Sequence, residues 1–303
     1  MLTLESSPLK PGPEHVLRVE MIYAPVNPSD LIPMTGAYSH LITLPMIAGY
    51  EGVGRVISAP PGMTRMLGRR VLPLRGAGTW QRYVDCDPAI AVPVPDDIPD
   101  TLAARAYINP LSAVCMLRNW PVCDRRIAVT GAGSSIAALL AQWAQADGAA
   151  NVSGIYRSPQ RRTWLEDLGV GPVSENDPAS IEACARQADI VFDSVGGTLG
   201  SAILSAMRPG TEFVSYGLLS GQPVLPSPGA RAAHRRFHLR DVLRNLSTPA
   251  WQESFSPLWP RLRAAKMPGV EIFPVEFWRD ALDAFHTPGR RQKPLLEFNG
   301  VVA

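Results

Sequence analysis

The chain has 303 residues, of which 46% are hydrophobic and 18% are charged, a composition that suits a globular protein of two domains. Its 29 basic and 27 acidic residues give a formal net charge of +2, a balance that does not favour a nucleic-acid-binding protein. No apolar run approaches the roughly 20 residues of a membrane span, and the first residues lack the order of a signal peptide. The four cysteines are scattered, which indicates a reducing compartment. We therefore expect a cytoplasmic protein with no nucleic-acid or membrane partner.

The first hundred residues predict an irregular β domain. Short strand-like runs punctuated by glycine and proline cover residues 16–26, 52–57, 70–74 and 80–84. Proline is frequent, with 30 residues, about twice its average share. Convincing helices are not expected before about Thr101.

The central residues predict a doubly wound parallel sheet, an α/β fold. Apolar, β-rich runs at residues 125–132, 151–157, 188–195 and 211–219 are separated by helical patterns. The helix starts include Ser158-Pro159 and Asp177-Pro178, where a capping residue precedes proline. Strands that alternate with helices at this spacing form βαβ units. Further helices are expected near residues 234–245, 251–265 and 277–285, and a closing strand at residues 293–298.

The stretch TGAGSSIAALLAQWAQADG, residues 130–148, has the pattern of a nucleotide-binding turn between a strand and a helix. Gly131 and Gly133 keep the tight turn that lets backbone N–H groups approach a pyrophosphate. The hydroxyls of Ser134 and Ser135 can donate to phosphate oxygens or cap the helix. Ile136 stands where a third glycine would complete the motif. The alternative is an ordinary βα turn without a ligand.

The second strand of the sheet points to NADP(H). An NAD site places an acidic residue at the end of this strand, whereas here it ends in Arg157 and Ser158, with Arg161 just beyond. Arginine suits a 2′-phosphate because its guanidinium forms bidentate, charge-assisted hydrogen bonds. The alternative is a solvated basic helix start.

Four stretches before the turn carry a family resemblance: APVNPSDL (residues 24–31), GAYSHLITLPMIAGYEGVGRV (36–56), GTWQRYV (78–84) and INPLSAVCML (108–117). In this order they resemble the zinc-independent medium-chain dehydrogenase/reductase superfamily. Within it the chain is most similar to enoyl-thioester reductases of the trans-2-enoyl-CoA reductase type, and next to quinone oxidoreductases. The resemblance implies a GroES-like catalytic domain of residues 1–112 and 247–303, shortened at its amino terminus. It also implies a Rossmann NADPH-binding domain of residues 113–246.

The resemblance also implies site residues. Tyr38 matches a tyrosine that donates a proton to the substrate or stabilises its enolate, and Asn27 matches a residue that lines the nicotinamide pocket. Asn109, Tyr216 and Lys293 match positions at which family members border or touch the cofactor. The alternatives are a packing aromatic for Tyr38 and helix starts for Asn27 and Asn109.

No metal is expected. The glycine-histidine-glutamate ligand motif of the zinc-dependent branch reads Gly49-Tyr50-Glu51 here, and the lobe with four clustered cysteines is absent from the sequence.

Three functions stay open. The first is an NADPH-dependent reductase of an activated C=C bond, in an enoyl thioester or an α,β-unsaturated carbonyl. The second is an NADPH:quinone reductase. The third is a non-catalytic binding or structural member, suggested by the replaced glycines and the shortened start. The basic run of residues 231–244 either meets the phosphates of coenzyme A or is a solvated helix face. Relatives pair sheet edges into homodimers, and the run at residues 211–219 is the candidate edge.

Overall fold

The computed structural model describes residues 2–35 and 42–298, and the chain divides into two compact units. Unit 1 comprises Met1–Ile108, Leu246–Arg263 and Pro268–Ala303, and unit 2 comprises Asn109–Asn245 and Ala264–Met267. Unit 1 contains a largely antiparallel sheet and unit 2 a parallel sheet covered by helices, so the expected α/β fold class is confirmed.

The amino-terminal part is built mainly from strands, and the central part alternates strands with helices. The amino-terminal elements are β1 (Leu17–Pro25), α1 (Pro28–Leu31), β2 (Val53–Ser58), β3 (Arg70–Leu72), β4 (Tyr83–Cys86), β5 (Val92–Pro93), α2 (Asp100–Ala103) and α3 (Ile108–Asn119). The central elements are β6 (Arg126–Thr130), α4 (Ser135–Ala146), β7 (Asn151–Tyr156), α5 (Arg161–Asp167), β8 (Gly171–Ser174), α6 (Pro178–Gln187), β9 (Ile190–Asp193), α7 (Gly197–Ala206), β10 (Glu212–Ser215), β11 (Ala233–Arg236) and α8 (Leu239–Leu243).

The carboxy-terminal elements are α9 (Thr248–Glu253), α10 (Leu258–Ala264), β12 (Val270–Pro274), α11 (Trp278–His286) and β13 (Lys293–Glu297). Short 3-10 turns cover Ile32–Thr35, Thr64–Met66 and Val275–Phe277. Within the part of the chain that the structure describes, no helix is both long enough and apolar enough to cross a membrane.

In unit 1, β1 is the central strand of the sheet. It pairs antiparallel with β13, β2 and β4, and the sheet continues in the order β12-β13-β1-β2-β3-β5. Leu17, Val19 and Met21 alternate along β1 and are fully buried, as a strand with one face on the core requires. Phe285 of α11 and Phe298 pack into the same cluster. The pairing of β13 with β1 therefore joins the last described strand to the first.

In unit 2, the sheet is parallel and has the order β11-β10-β9-β6-β7-β8. All four residues of β9 are buried, which is typical of a strand covered by helices on both faces. From β6 the chain proceeds outward through β7 and β8, and then returns to β9 on the other side of β6. The reversal of strand order between β6 and β9 is the point at which such sheets bind ligands, beyond the carboxyl ends of the strands.

The basic run near residues 234–245 was expected to be helical, and its first part is instead a strand. Residues of β11 pair in parallel with β10, and the ring of His234 packs edge-on against Phe213 at 5.5 Å. Tertiary pairing therefore outweighs the helical pattern, and the helix is confined to α8. As a consequence β10, the predicted dimer edge, is an internal strand and β11 lies at the edge.

Two helices also differ from expectation. The helix after β7 begins at Arg161, because Ser158-Pro159 forms a turn in which the Ser158 carbonyl accepts the Arg161 N–H at 2.9 Å. The single helix expected at residues 251–265 is divided into α9 and α10. The helices predicted after Gly133, at Asp177-Pro178 and near residues 277–285 are confirmed.

Candidate nucleotide turn and buried polar network

The turn after β6 is shaped by two glycines. Gly131 has a φ of +58°, and a Cβ added there would lie 2.5 Å from Ser194 Oγ. A Cβ on Gly133 would lie 3.0 Å from Cγ of Arg161. Gly131 is therefore favoured by both its backbone conformation and its space, whereas a Cβ on Gly133 would require the Arg161 side chain to shift by a few tenths of an ångström. A glycine turn between a strand and the amino terminus of a helix is the arrangement that binds a pyrophosphate, so the residues present fit a dinucleotide.

Helix α4 directs its amino terminus at this turn. The Ser134 hydroxyl accepts a 3.3 Å hydrogen bond from the Ala137 N–H and so caps the helix, a role that does not use its own O–H donor. The N–H groups of Ser135 and Ile136 lie in the first helical turn and have no acceptor within the helix. Ala137 is fully buried, whereas Ile136 is half-buried, so the tightly packed position carries alanine.

The arginines lie at the carboxyl end of β7, next to the turn. β7 pairs with β6 up to Thr130 and Ile155, so Arg157 follows the strand end adjacent to Gly131. The Arg157 side chain is exposed. Arg161 is half-buried, with its methylenes against Gly133 and its guanidinium carbon 5.6 Å from the ring centre of Trp164. Two cations thus lie beside a glycine turn at a helix amino terminus, an arrangement that can bind phosphate.

Sequence reasoning missed a buried polar cluster that joins β6 to β9. The Thr130 hydroxyl donates a 2.6 Å hydrogen bond to Asp193, and both residues are fully buried. The Ser194 N–H donates back to the Thr130 hydroxyl at 2.9 Å. Asp193 also accepts the N–H groups of Val195 at 3.1 Å and Gly196 at 3.0 Å. Burial raises the pKa of Asp193, and these hydrogen bonds oppose the rise.

Tyr216 and Asn109 are placed in unit 2. Tyr216 directly follows β10. Burial raises the pKa of its phenol. A hydrogen bond with Ser194 opposes this rise, and the charge of the Asp193 carboxylate adds to it. Tyr216 is therefore close to the residues that surround Gly131. Asn109 lies half-buried in the first turn of α3.

Asn27 and Lys293 are brought together in unit 1. Lys293 Nζ donates a 2.6 Å hydrogen bond to Asn27 Oδ1, although 266 positions separate the two residues. Asn27 Nδ2 donates a 2.7 Å hydrogen bond to Glu51 Oε1. The other Glu51 oxygen accepts the N–H groups of Tyr107 at 3.1 Å and Ile108 at 2.8 Å.

Asp30 completes this buried polar network. Its carboxylate accepts the N–H groups of Asn27 at 2.7 Å and Tyr50 at 3.0 Å. The exposed fractions of Asn27, Asp30, Glu51 and Lys293 are 2%, 2%, 1% and 7%, so the charges are held away from solvent. Asp30 and Glu51 are functional candidates that the sequence reasoning missed. Asp30 lies three residues after Asn27, a reciprocal helix-start spacing that could have indicated it.

Burial is the main cause of the pKa shifts in this network. It raises the pKa of Asp30 to about 7, opposed by the Asn27 N–H and increased by the charge of Glu51. It raises the pKa of Glu51, opposed chiefly by the Ile108 N–H and the Asn27 amide. It lowers the pKa of Lys293 to about 8, opposed by the charges of Glu51 and Asp30.

Tyr38, the predicted proton donor, lies outside the described residues. Within residues 2–35 and 42–298, no group of three or more His, Cys, Asp or Glu side chains is arranged to hold a metal ion. Apart from Asn109, the predicted site residues that are described therefore fall into two groups, one around Gly131 in unit 2 and one around Asn27 in unit 1.

Two family models match the chain. Residues 12–96 match the alcohol dehydrogenase GroES-like domain, and residues 135–262 match a domain described as zinc-binding dehydrogenase. Mitochondrial enoyl-(acyl-carrier-protein) reductase of Bos taurus is 28% identical over 94% of this chain and 81% of its own length.

Solved structures share the fold. A candidate NADPH:quinone reductase from Bacillus thuringiensis is 33% identical, with a TM-score of 0.88 over 96% of this chain and 92% of its own. A mycobacterial protein complexed with NADPH is 20% identical, with a TM-score of 0.83 over 97% of this chain and 94% of its own. With the two domain matches in this order and a full-length relative at 33% identity, the chain belongs to the medium-chain dehydrogenase/reductase superfamily, in its enoyl- and quinone-reductase type.

Proposed function

We propose that the protein is an NADPH-dependent oxidoreductase that reduces an activated C=C bond, in an enoyl thioester or an α,β-unsaturated carbonyl. The observation that carries this proposal is the Gly131 turn, which lies where the strand order reverses and has Arg157 and Arg161 beside it. Gly131 and Gly133 give room to the pyrophosphate, and the first N–H groups of α4 face it. Arg157 and Arg161 select the 2′-phosphate of NADPH over the hydroxyl of NADH.

NADPH, when bound, supplies the hydride that adds to the β carbon of the substrate. Negative charge then develops on the carbonyl oxygen, and Tyr38 donates a hydrogen bond to that oxygen or a proton to the α carbon. Asn27 is assigned beside it because its amide is held rigidly by Lys293 and Glu51. Cofactor binding is also assigned to seven further residues: Asn109, Ser134, Ser135, Ile136, Ser158, Tyr216 and Lys293.

Two substrate classes remain candidates on specific grounds. The bovine relative is an enoyl-(acyl-carrier-protein) reductase, which supports reduction of an enoyl thioester. The Bacillus relative, at 33% identity, is named for NADPH:quinone reduction, which supports the alternative.

The remaining assignments concern the domain boundaries, the cellular location and the oligomeric state. Residues 1–112 and 247–303 form the catalytic domain and residues 113–246 the NADPH-binding domain. The protein is cytoplasmic and forms a homodimer, for which β11 rather than β10 offers the sheet edge among the described strands.

The test of function compares two variants on two substrates. NADPH oxidation is followed with a short-chain 2-enoyl-CoA and with a soluble quinone, for the wild type, Tyr38→Phe and the matched control Tyr83→Phe on β4. A general acid is worth a factor of about 10²–10⁴, so Tyr38→Phe is expected to reduce enoyl turnover more than tenfold and quinone turnover by less than about twofold. Tyr83→Phe is expected to change neither. Equal losses on both substrates would contradict the role of Tyr38, and turnover of quinone alone would favour the alternative function.

A further inference from the structure

The chain has a strong preference for arginine over lysine, which makes the position of Lys293 informative. Of its 29 basic residues, three are lysines, Lys10, Lys266 and Lys293. Lys10 and Lys266 are exposed, whereas Lys293 is 7% exposed. A buried ammonium is costly unless nearby groups compensate it, and lysine, unlike arginine, changes its pKa readily when buried. The one buried lysine therefore occupies an environment built around it.

Hydrogen bonding leaves part of the Lys293 ammonium available. The ammonium has three N–H donors, and within the described residues its hydrogen-bond partner is Asn27 Oδ1. The ring of Phe285 lies 5.7 Å away and offers a further favourable contact for the cation. The charged groups that face it are Glu51 and Asp30, which support its protonation, and Arg290 and Arg105, which oppose it.

The orientation of the Asn27 amide decides what Lys293 meets. If the amide were reversed, its NH₂ group would face the ammonium and its oxygen would face the Glu51 carboxylate. Both contacts would then lack a donor–acceptor match. Glu51 prevents this reversal because its oxygen accepts from Asn27 Nδ2 at 2.7 Å.

Glu51 is itself held in place by backbone. Its second carboxylate oxygen accepts two N–H groups, from Tyr107 and Ile108, and its own carbonyl oxygen accepts the Thr79 hydroxyl at 2.8 Å. A carboxylate fixed at both oxygens cannot turn without loss of charge-assisted hydrogen bonds. The backbone therefore holds Glu51 in place, Glu51 fixes the orientation of the Asn27 amide, and the amide oxygen faces the Lys293 ammonium.

We propose that Glu51 is a positioning residue that fixes the Asn27 amide and thereby holds the Lys293 ammonium charged, with donors available in the proposed site. The proposal rests on the proposed function because Asn27 and Lys293 are among its assigned residues. Glu51 acts through them and needs no contact with substrate or cofactor.

The experiment is an NMR titration of the full chain labelled with ¹⁵N and ¹³C in lysine, without cofactor. With three lysines, the spectrum contains three side-chain signals, and exposed Lys10 and Lys266 serve as internal references. In Glu51→Gln the pKa of Lys293 is expected to fall by at least about one unit relative to the wild type, because a nearby opposite charge is lost. The matched control is Glu297→Gln, which removes a β13 carboxylate that accepts the Tyr23 hydroxyl. It is expected to leave Lys293 unchanged.

A second variant keeps the proposal testable if Glu51→Gln does not fold. Glu51→Asp keeps the charge but is one methylene too short to hold both the amide and the two N–H groups. In a second, uniformly ¹⁵N-labelled sample, this variant is expected to move the ¹⁵N–¹H₂ signals of the Asn27 side chain, and in the lysine-labelled sample Lys293 is expected to keep its pKa within about half a unit.

The outcomes separate this proposal from the proposed function. An unchanged Lys293 titration in Glu51→Gln, or an equal change in Glu297→Gln, would overturn the role of Glu51. Asn27 side-chain amide signals that do not move in Glu51→Asp would also overturn the role of Glu51. A wild type that binds no NADPH in a separate titration would contradict the proposed function and leave the cofactor-free result on Glu51 standing.

Discussion

Thr130 donates a 2.6 Å hydrogen bond from its hydroxyl to Asp193, and this bond joins β6 to β9 where the strand order of the parallel sheet reverses. The same carboxylate orders the loop after β9 by accepting the N–H groups of Val195 and Gly196. Ser194, which directly follows Asp193, lies where a side chain on Gly131 would have to go. The shape of the nucleotide turn therefore depends on a bond between the two strands that flank the reversal.

Thr130→Val removes the hydroxyl and keeps the shape of the side chain. A hydrogen bond to a charged, buried group contributes about 1.5–3 kcal/mol, so the free energy of unfolding is expected to fall by that amount in urea titrations. Thr130→Ser keeps the hydroxyl and serves as one control. Thr211→Val, which loses a bond to the neutral carbonyl of Arg208, serves as another and should cost about 1 kcal/mol. A Thr130→Val protein as stable as the wild type would contradict this account of the reversal point.

Gly131→Ala is expected to weaken NADPH binding more than tenfold, because its Cβ would enter the space of Ser194 Oγ at 2.5 Å. Gly210→Ala is the matched control, since Gly210 also has a positive φ, of +77°, but has open space around it. Both variants pay a backbone cost of about 1–2 kcal/mol. Binding is measured by fluorescence titration of folded protein, and equal losses of affinity in both variants would show that the turn holds no cofactor.

Arg161→Ala is expected to raise the Kd for NADPH by about 10–100-fold and to leave the Kd for NADH nearly unchanged, because a charge-assisted hydrogen bond to the 2′-phosphate is lost. Arg162→Ala is the control: the neighbouring arginine is exposed and its guanidinium pairs with Glu166 at 3.0 Å. Isothermal titration of both nucleotides to each variant gives the four constants. Parallel weakening of NADPH and NADH would assign Arg161 to general support of the turn rather than to selection of the phosphate.

Asp30 makes the stability of the protein depend on pH. Burial raises its pKa from 3.8 to about 7 in the folded chain, so between these values the folded chain holds a proton that the unfolded chain releases. The free energy of unfolding therefore falls as the pH rises through this window, by at most about 1.4 kcal/mol per pH unit from this group. Asp30→Asn has no carboxyl group at this position, so its free energy of unfolding lacks this contribution to the pH dependence.

The difference in free energy of unfolding between the wild type and Asp30→Asn is thus expected to fall in urea titrations from about pH 4 to about pH 7. Asp177→Asn is the control, because Ser180 holds the pKa of that exposed carboxyl below its usual value. If the difference in free energy of unfolding between the wild type and Asp30→Asn does not change with pH, Asp30 is ionised throughout this range.

The sequence predicted the parallel sheet because its strands are apolar runs with local start and stop signals, as in β6 and β9. It missed β8 and β11 for a physical reason. Residues of β8 (Gly171–Ser174) and β11 (Ala233–Arg236) carry no continuous apolar pattern, since both lie at sheet edges with exposed or half-buried side chains. Their strand conformation comes from pairing with β7 and β10, which local patterns do not encode.

The candidate site was predictable where it is local. Gly131 and Gly133 stand in a recognisable turn, and a Cβ on Gly131 would lie 2.5 Å from Ser194 Oγ. The partners of Asn27 were not predictable, because they come from distant positions: Lys293 meets it through the pairing of β1 with β13, and Glu51 through the pairing of β1 with β2. The assignment of Tyr38 stays a prediction, since that residue lies outside the described part of the chain.

The most direct test of NADPH binding at the Gly131 turn is the titration of the wild-type protein with NADPH and, separately, with NADH, followed by tryptophan fluorescence. The wild-type protein is expected to bind NADPH saturably and at least tenfold more tightly than NADH, a difference in binding free energy of about 1.4 kcal/mol or more. Absence of binding by either nucleotide would contradict the account of the Gly131 turn and favour the non-catalytic reading of the chain.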